Sequence, residues 1–187
     1  MKSLQLIALF LVLLLVTGCP SPLKYPAIIS GLGESSTYPL NAAGFERGEL
    51  VMYEPGMRNI SIAYNLLSPD AQIAATIYVY KYGGIAPSLQ NQFVNEKHQI
   101  ENYHSPKLLY EKPIILYKNG QEYHALKAAY EYEQIFMHKP QTTVYSELIL
   151  LLNGKDFVKL RSTSPISQQE IAIEKNLELL NAVDWTK

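Results

Sequence analysis

Only one cysteine, Cys19, occurs among the 187 residues. An internal disulfide and a thiolate metal cluster are thereby excluded. Basic residues are neither in surplus nor clustered: 16 Lys and Arg face 17 Asp and Glu, for a formal net charge of −1. Without a basic stripe there is nothing to neutralise a phosphate backbone, which excludes nucleic acid as a partner. A polybasic membrane patch is excluded on the same ground. The short motifs of common chemistry are missing as well. There is no G-x-S-x-G, no H-E-x-x-H and no complete phosphate loop. No cofactor is implied by any motif.

A long apolar run is also lacking, and the short one present is informative. Lys2 precedes an apolar stretch from Leu4 to Val16, interrupted by Gln5 and followed by Thr17, Pro20 and Pro22. That is too short for a spanning helix, which needs about 20 apolar residues. A basic start, a short apolar segment and small residues before a cut site make a secretory signal. The segment closes with Leu15-Val16-Thr17-Gly18-Cys19. This stretch resembles the lipobox of bacterial lipoproteins. The resemblance implies cleavage after Gly18, diacylglycerol on the Cys19 thiol and commonly a third acyl chain such as palmitate on the new amino group. Two or more acyl chains moor a protein stably, where one holds marginally. Pro20 is not the aspartate that marks inner-membrane retention, so an outer-membrane site facing the periplasm is expected over the inner membrane.

The mature chain would be of single-domain size. Residues 1–18 read as signal peptide and 19–45 as a tether and connecting loop. That loop is marked by Pro20, Pro22, Pro26, Pro39, Gly31 and Gly33. Residues 46–187 read as one domain. Strand patterns cover 48–54, 59–67 and 73–82. Ile60, Ile62, Tyr64 and Leu66 share one face of the second. A helix is expected over 88–103, with Leu89, Phe93, Ile100 and Tyr103 on one side. Residues 107–118 read as a strand pair or as one strand bent at Pro113, and strands at 121–134, 142–152 and 156–162 follow. Asn119-Gly120 and Asn153-Gly154 mark hairpins. Ser167-Gln168-Gln169-Glu170 has the form of a capping box. It opens a helix whose apolar stripe holds Ile173, Leu177 and Leu180, with Val183 beside it.

The expected fold is therefore α+β. A central antiparallel sheet of about six to seven strands has a helix after the first strands and a C-terminal helix packed on it. That element order over 48–104, 107–162 and 167–183 resembles the PsbP-like sandwich, with Phe157-Val158-Lys159-Leu160-Arg161-Ser162 running into the capped helix. Lipoproteins of that fold are mostly ligand-free accessory proteins, so the resemblance implies no chemistry.

Tyrosine is abundant, with 14 against 5 Phe and 1 Trp. Tyr78, Tyr80 and Tyr82 share a strand face, and Tyr130 and Tyr132 share another. An exposed tyrosine row offers rigid area with polar tips, suited to a partner; a helix laid over it would make it core instead. Scattered ionisable residues give weaker candidates. His98, Glu101 and His104 stand near the end of one helix. Glu122 and His124 share a strand face, His138 sits in a turn, and Glu131 and Glu133 are paired carboxylates. His98 and Glu101, at i and i+3, could share a metal. A site needs at least three or four ligands, however, and His104 falls where the helix should end, so no metal is expected. No nucleophile signature accompanies any of these residues. Gly31-Leu32-Gly33-Glu34 lacks the strand and lysine of a phosphate loop and reads as linker. The functional expectation is a lipid-anchored, non-enzymatic envelope protein that binds or stabilises a partner. A small-ligand carrier with a pocket between helix and sheet is the alternative; a hydrolase built from the histidines and glutamates comes last.

Overall fold

The computed structural model describes residues 27–28, 37–54, 59–81 and 87–186. Cys19, the Gly31-Leu32-Gly33-Glu34 stretch, Tyr82 and the Gly83-Gly84 pair lie outside them. The described strands are β1 (Ala27–Ile28), β2 (Asn41–Ala42), β3 (Phe45–Met52), β4 (Asn59–Leu67), β5 (Gln72–Lys81), β6 (Lys107–Lys118), β7 (Gln121–Phe136), β8 (Lys139–Asn153) and β9 (Asp156–Pro165). Two helices accompany them, α1 (Leu89–His104) and α2 (Gln169–Ala182).

All nine strands join one antiparallel sheet, in the order β1-β3-β4-β5-β9-β8-β7-β6, with β2 on β3. The expected α+β fold of six to seven strands is overturned. The molecule is a mostly-β sheet protein, and the helices are two accessories on its faces. The helix expected after the first strands enters only after the fifth. The reason lies in the segment read as tether. Strands β1 and β2 are two residues each and show no periodicity. Backbone pairing defines them, Ala27 with Met52 and Ala42 with Phe45. The folded body also reaches back past residue 46, since Tyr38 and Ala42 are buried.

From β6 to β9 the chain is a meander. Its first turn is a two-residue loop between Lys118 and Gln121. Both loop residues need positive φ, and Asn119 (51°) and Gly120 (76°) supply it. Strand β9 then returns to pair with β5, which closes the order.

Alternation along the strands creates two cores. On one face, α1 lies over β7 and β8 and covers Ala128, Tyr130, Val144, Leu148, Leu150 and Phe157. On the other, α2 lies over β9 above Ile62, Ile77, Ile149, Leu151 and Leu160. Each large apolar side chain so buried contributes roughly 1.5–3 kcal/mol. Among the described residues no helix is long and apolar enough to cross a membrane.

The helices differ in detail from the pattern expected. Ser88 caps α1, accepting from the Asn91 amide at 3.2 Å. Phe93 and Ile100 are buried, but Tyr103 is 84% exposed. The capping box at 167–170 does not form. Ser167 lies in a 3-10 turn, Ile166–Gln168, and α2 starts at Gln169 without a side-chain cap. Helix α2 is also rotated from its aliphatic stripe. It buries Ala172, Asn176, Leu179 and Leu180, leaving Ile173 and Leu177 half-buried. A polar residue, Asn176, takes the inward position because a carboxylate waits beneath it.

Candidate functional site

Among the described residues each face of the sheet carries a buried ionic cluster, and both involve β-strand side chains held by a helix. Beneath α1, Lys159 of β9 lies 2.8 Å from Glu96. Tyr80 donates to the same carboxylate at 2.8 Å, and Gln92 donates to it at 2.9 Å. Lys159 also sits 4.1 Å from the centroid of the Tyr78 ring, which lies directly across the β5–β9 register. Burial pushes Glu96 up, but the Lys159 charge and three hydrogen bonds outweigh it and hold the carboxyl below its ordinary value. Burial dominates at Lys159, which is pulled down despite Glu96. Two residues on, Arg161 donates to the Ser146 hydroxyl at 3.2 Å. Burial lowers it, and the facing Tyr132, Tyr78 and Glu96 oppose that.

Beneath α2 the second cluster is enclosed. Glu147 and Lys127 pair at 2.7 Å, and both are buried. Tyr145 donates to Glu147, Tyr110 reaches Tyr145 at 2.7 Å, and Asn176 donates to the other carboxylate oxygen at 3.2 Å. Asn176 donates further to Ser162 at 2.7 Å. Burial pushes the Tyr110 phenol up to about 12 with help from Glu147, against a hydrogen bond from Tyr145. All these donors satisfy the buried carboxylate, so the cluster ties α2 to the sheet. Strand alternation puts Lys127 on the same face of β7 as Glu131 and Glu133. The two glutamates do lie toward the surface: Glu131 meets Lys107 at 3.2 Å and Glu133 accepts from Thr143. Lys127 differs because Glu147 stands beneath α2 and draws its ammonium inward.

Of the two readings of the tyrosine rows, core beneath a helix holds for Tyr130 and Tyr132. Tyr130 is fully buried and Tyr132 is 7% exposed, both beneath α1. Neither ring is open to a partner. Tyr80 packs on Phe157 with centroids 5.6 Å apart and is tied to Glu96. Tyr78 remains half-exposed beside Lys159. Tyr82 lies outside the described residues. The physical reason is α1 itself: its Phe93 and Ile100 need a large apolar floor.

The histidines stay apart. His98 faces Glu101 at 3.5 Å on the helix surface, and His124 faces Glu122 at 3.4 Å. His104 stacks on Tyr132 at 4.3 Å instead of turning to His98. His138 lies exposed at the β7–β8 turn. Among the described residues no three His, Cys, Asp or Glu gather into a metal-binding group. One apolar groove adjoins α1. Leu89, Pro113, Ile114, Ile115, His124 and Leu126 line about 490 Å³ at the β6 edge.

Sequence reasoning missed Glu147, the most enclosed carboxylate among the described residues. Its signal was present: it stands in phase with Tyr145, Ile149 and Leu151, where an apolar residue belongs.

No family model and no curated protein matches the chain. Among solved structures it is similar to a protein of unknown function, PA94 from Pseudomonas aeruginosa, described as a candidate regulator. Identity is 12%, the TM-score is 0.49, and the match covers 68% of this chain and 83% of the other. At that score the likeness carries no argument about fold or role.

Proposed function

We propose that the chain is a bacterial envelope lipoprotein, cleaved after Gly18, acylated on Cys19 and facing the periplasm. Its folded body acts without catalysis, by binding or stabilising a partner. The observation that carries this reading is the Leu15-Val16-Thr17-Gly18-Cys19 sequence behind a basic start and a short apolar run. In the folded body the two buried ionic clusters hold helices to the sheet.

A labelled fatty acid fed to the native cell tests the anchor. The wild-type chain is expected to take up label and fractionate with membranes. Cys19→Ser is expected to lose both; membrane attachment that persists in the unlabelled variant would contradict the reading.

The groove at Leu89, Pro113 and Leu126 favours a second reading, a carrier of a small apolar ligand. Saturable quenching of an apolar fluorescent probe, lost on Leu126→Asp, would select it over the partner-binding reading.

A further inference from the structure

We infer that Arg161, on the sheet face that carries α1, binds the carboxylate of a monocarboxylic acid. The site is separate from the apolar groove at Leu89 and does not depend on the Cys19 anchor.

Alternation along β9 turns Phe157, Lys159 and Arg161 toward the α1 face. The other enclosed cations of the sheet have strong acceptors. Lys127 has Glu147 at 2.7 Å, and Lys159 has Glu96 at 2.8 Å. Lys118 donates to the carbonyls of Leu180 and Asn181. Arg161 has a neutral hydroxyl alone, that of Ser146, 3.2 Å from Nη2. Among the described residues no carboxylate pairs with it. Its Nε is sealed from water with no partner at all. Its Nη1 also makes no bond, and that atom is not sealed. An arginine cannot shed its charge. A half-buried guanidinium with one open edge and no acid beside it is therefore a vacant anion receptor.

The sequence of α1 leaves the gap. Glu96 serves Lys159, and at helical spacing beyond it stand Gln99, Ile100, Tyr103 and His104, none of them acidic. Glu101 is engaged on another side, by His98 at 3.5 Å and by the Tyr130 hydroxyl at 3.4 Å.

Charge selects the ligand. Lys159 and Arg161 bring two positive charges and Glu96 brings one negative. His104 adds none at neutral pH, because burial and the Arg161 charge lower it. One further negative charge completes the set. A carboxylate supplies it, whereas a phosphate dianion would bring excess charge toward Glu96. Rings flank the cation. Tyr78 stands diagonal to Arg161 in the β5–β9 register and is half-exposed. Tyr132 carries the exposed His104 stacked on it at 4.3 Å. Flat faces beside a guanidinium suit an acid with an aromatic or aliphatic body.

Binding of para-fluorobenzoate to the full chain in neutral detergent, followed by fluorine NMR at neutral pH, tests this. Expected is saturable binding with a rise in melting temperature. The neutral para-fluorobenzamide and inorganic phosphate are expected to give neither. Arg161→Met is expected to weaken binding roughly tenfold or more. Its melting temperature should equal or exceed that of wild type, because no acid is stranded. Lys159→Met, which strands Glu96, should melt lower. A short peptide ending in phenylalanine, with a free carboxyl terminus, competes in a second arm. Tighter binding of the fluorobenzoate assigns a free acid, and tighter binding of the peptide assigns a chain terminus; both support a carboxylate site. No saturable binding, equal binding of the benzamide, or binding that survives Arg161→Met overturns the inference. So does an Arg161→Met chain that melts as low as Lys159→Met, since Arg161 would then serve the fold.

Discussion

Glu147 and Lys127 stand 2.7 Å apart on neighbouring strands, and neither reaches solvent. Their attraction repays desolvation only because Tyr145, Tyr110 and Asn176 fill the remaining sites on the carboxylate. Lys127→Met strands a buried negative charge and is expected to cost about 3–5 kcal/mol. The double change Lys127→Met with Glu147→Leu is expected to cost less than the single one. Urea denaturation of both variants checks this; a single variant within 1 kcal/mol of wild type, on the order of an exposed pair, would show that the pair is not enclosed.

Glu96 gives the fold an acid limit. Its carboxyl is held below the ordinary value in the folded state, so its contribution is present above the unfolded carboxylate value and lost as pH falls through the folded one. Stability from urea titrations at about pH 6 and about pH 3 is expected to drop more in wild type than in Glu96→Gln. Equal drops would place the acid sensitivity elsewhere.

How far the sequence could be read is visible in these same residues. The alternation in 59–67 and the Asn119-Gly120 hairpin were legible because they are local: a period of two and a required positive φ. Strands β1 and β2 were not, since two paired residues leave no period. The buried Lys127 and the rotated α2 escaped for one shared reason. Glu147 decides both, and it lies 20 residues from Lys127 and 29 from Asn176 in sequence. Whether the tyrosine rows are core or contact was not legible, because it depends on where α1 lands.

The rotation of α2 has a mutational signature. Leu179 is fully buried while Leu177 is half-buried. Leu179→Ala is expected to cost about 2–5 kcal/mol and Leu177→Ala clearly less. Chemical denaturation giving the reverse order would put the helix back on its aliphatic stripe.

Relief at the β7–β8 turn, where Met137 (φ 47°) and His138 (φ 65°) stand in the left-handed region, should stabilise. Replacing Met137 with Asn and His138 with Gly supplies residues suited to the turn, and each left-handed non-glycine residue costs about 1–2 kcal/mol. A gain of roughly 1 kcal/mol or more is expected in urea. A loss of stability would show that the two side chains serve the fold instead.

The most direct measurement is mass spectrometry of the N-terminal peptide of this protein taken from its own cell membranes. The account predicts a chain beginning at Cys19 with diacylglycerol on its sulfur. A free thiol, or residues 1–18 still attached, would contradict it.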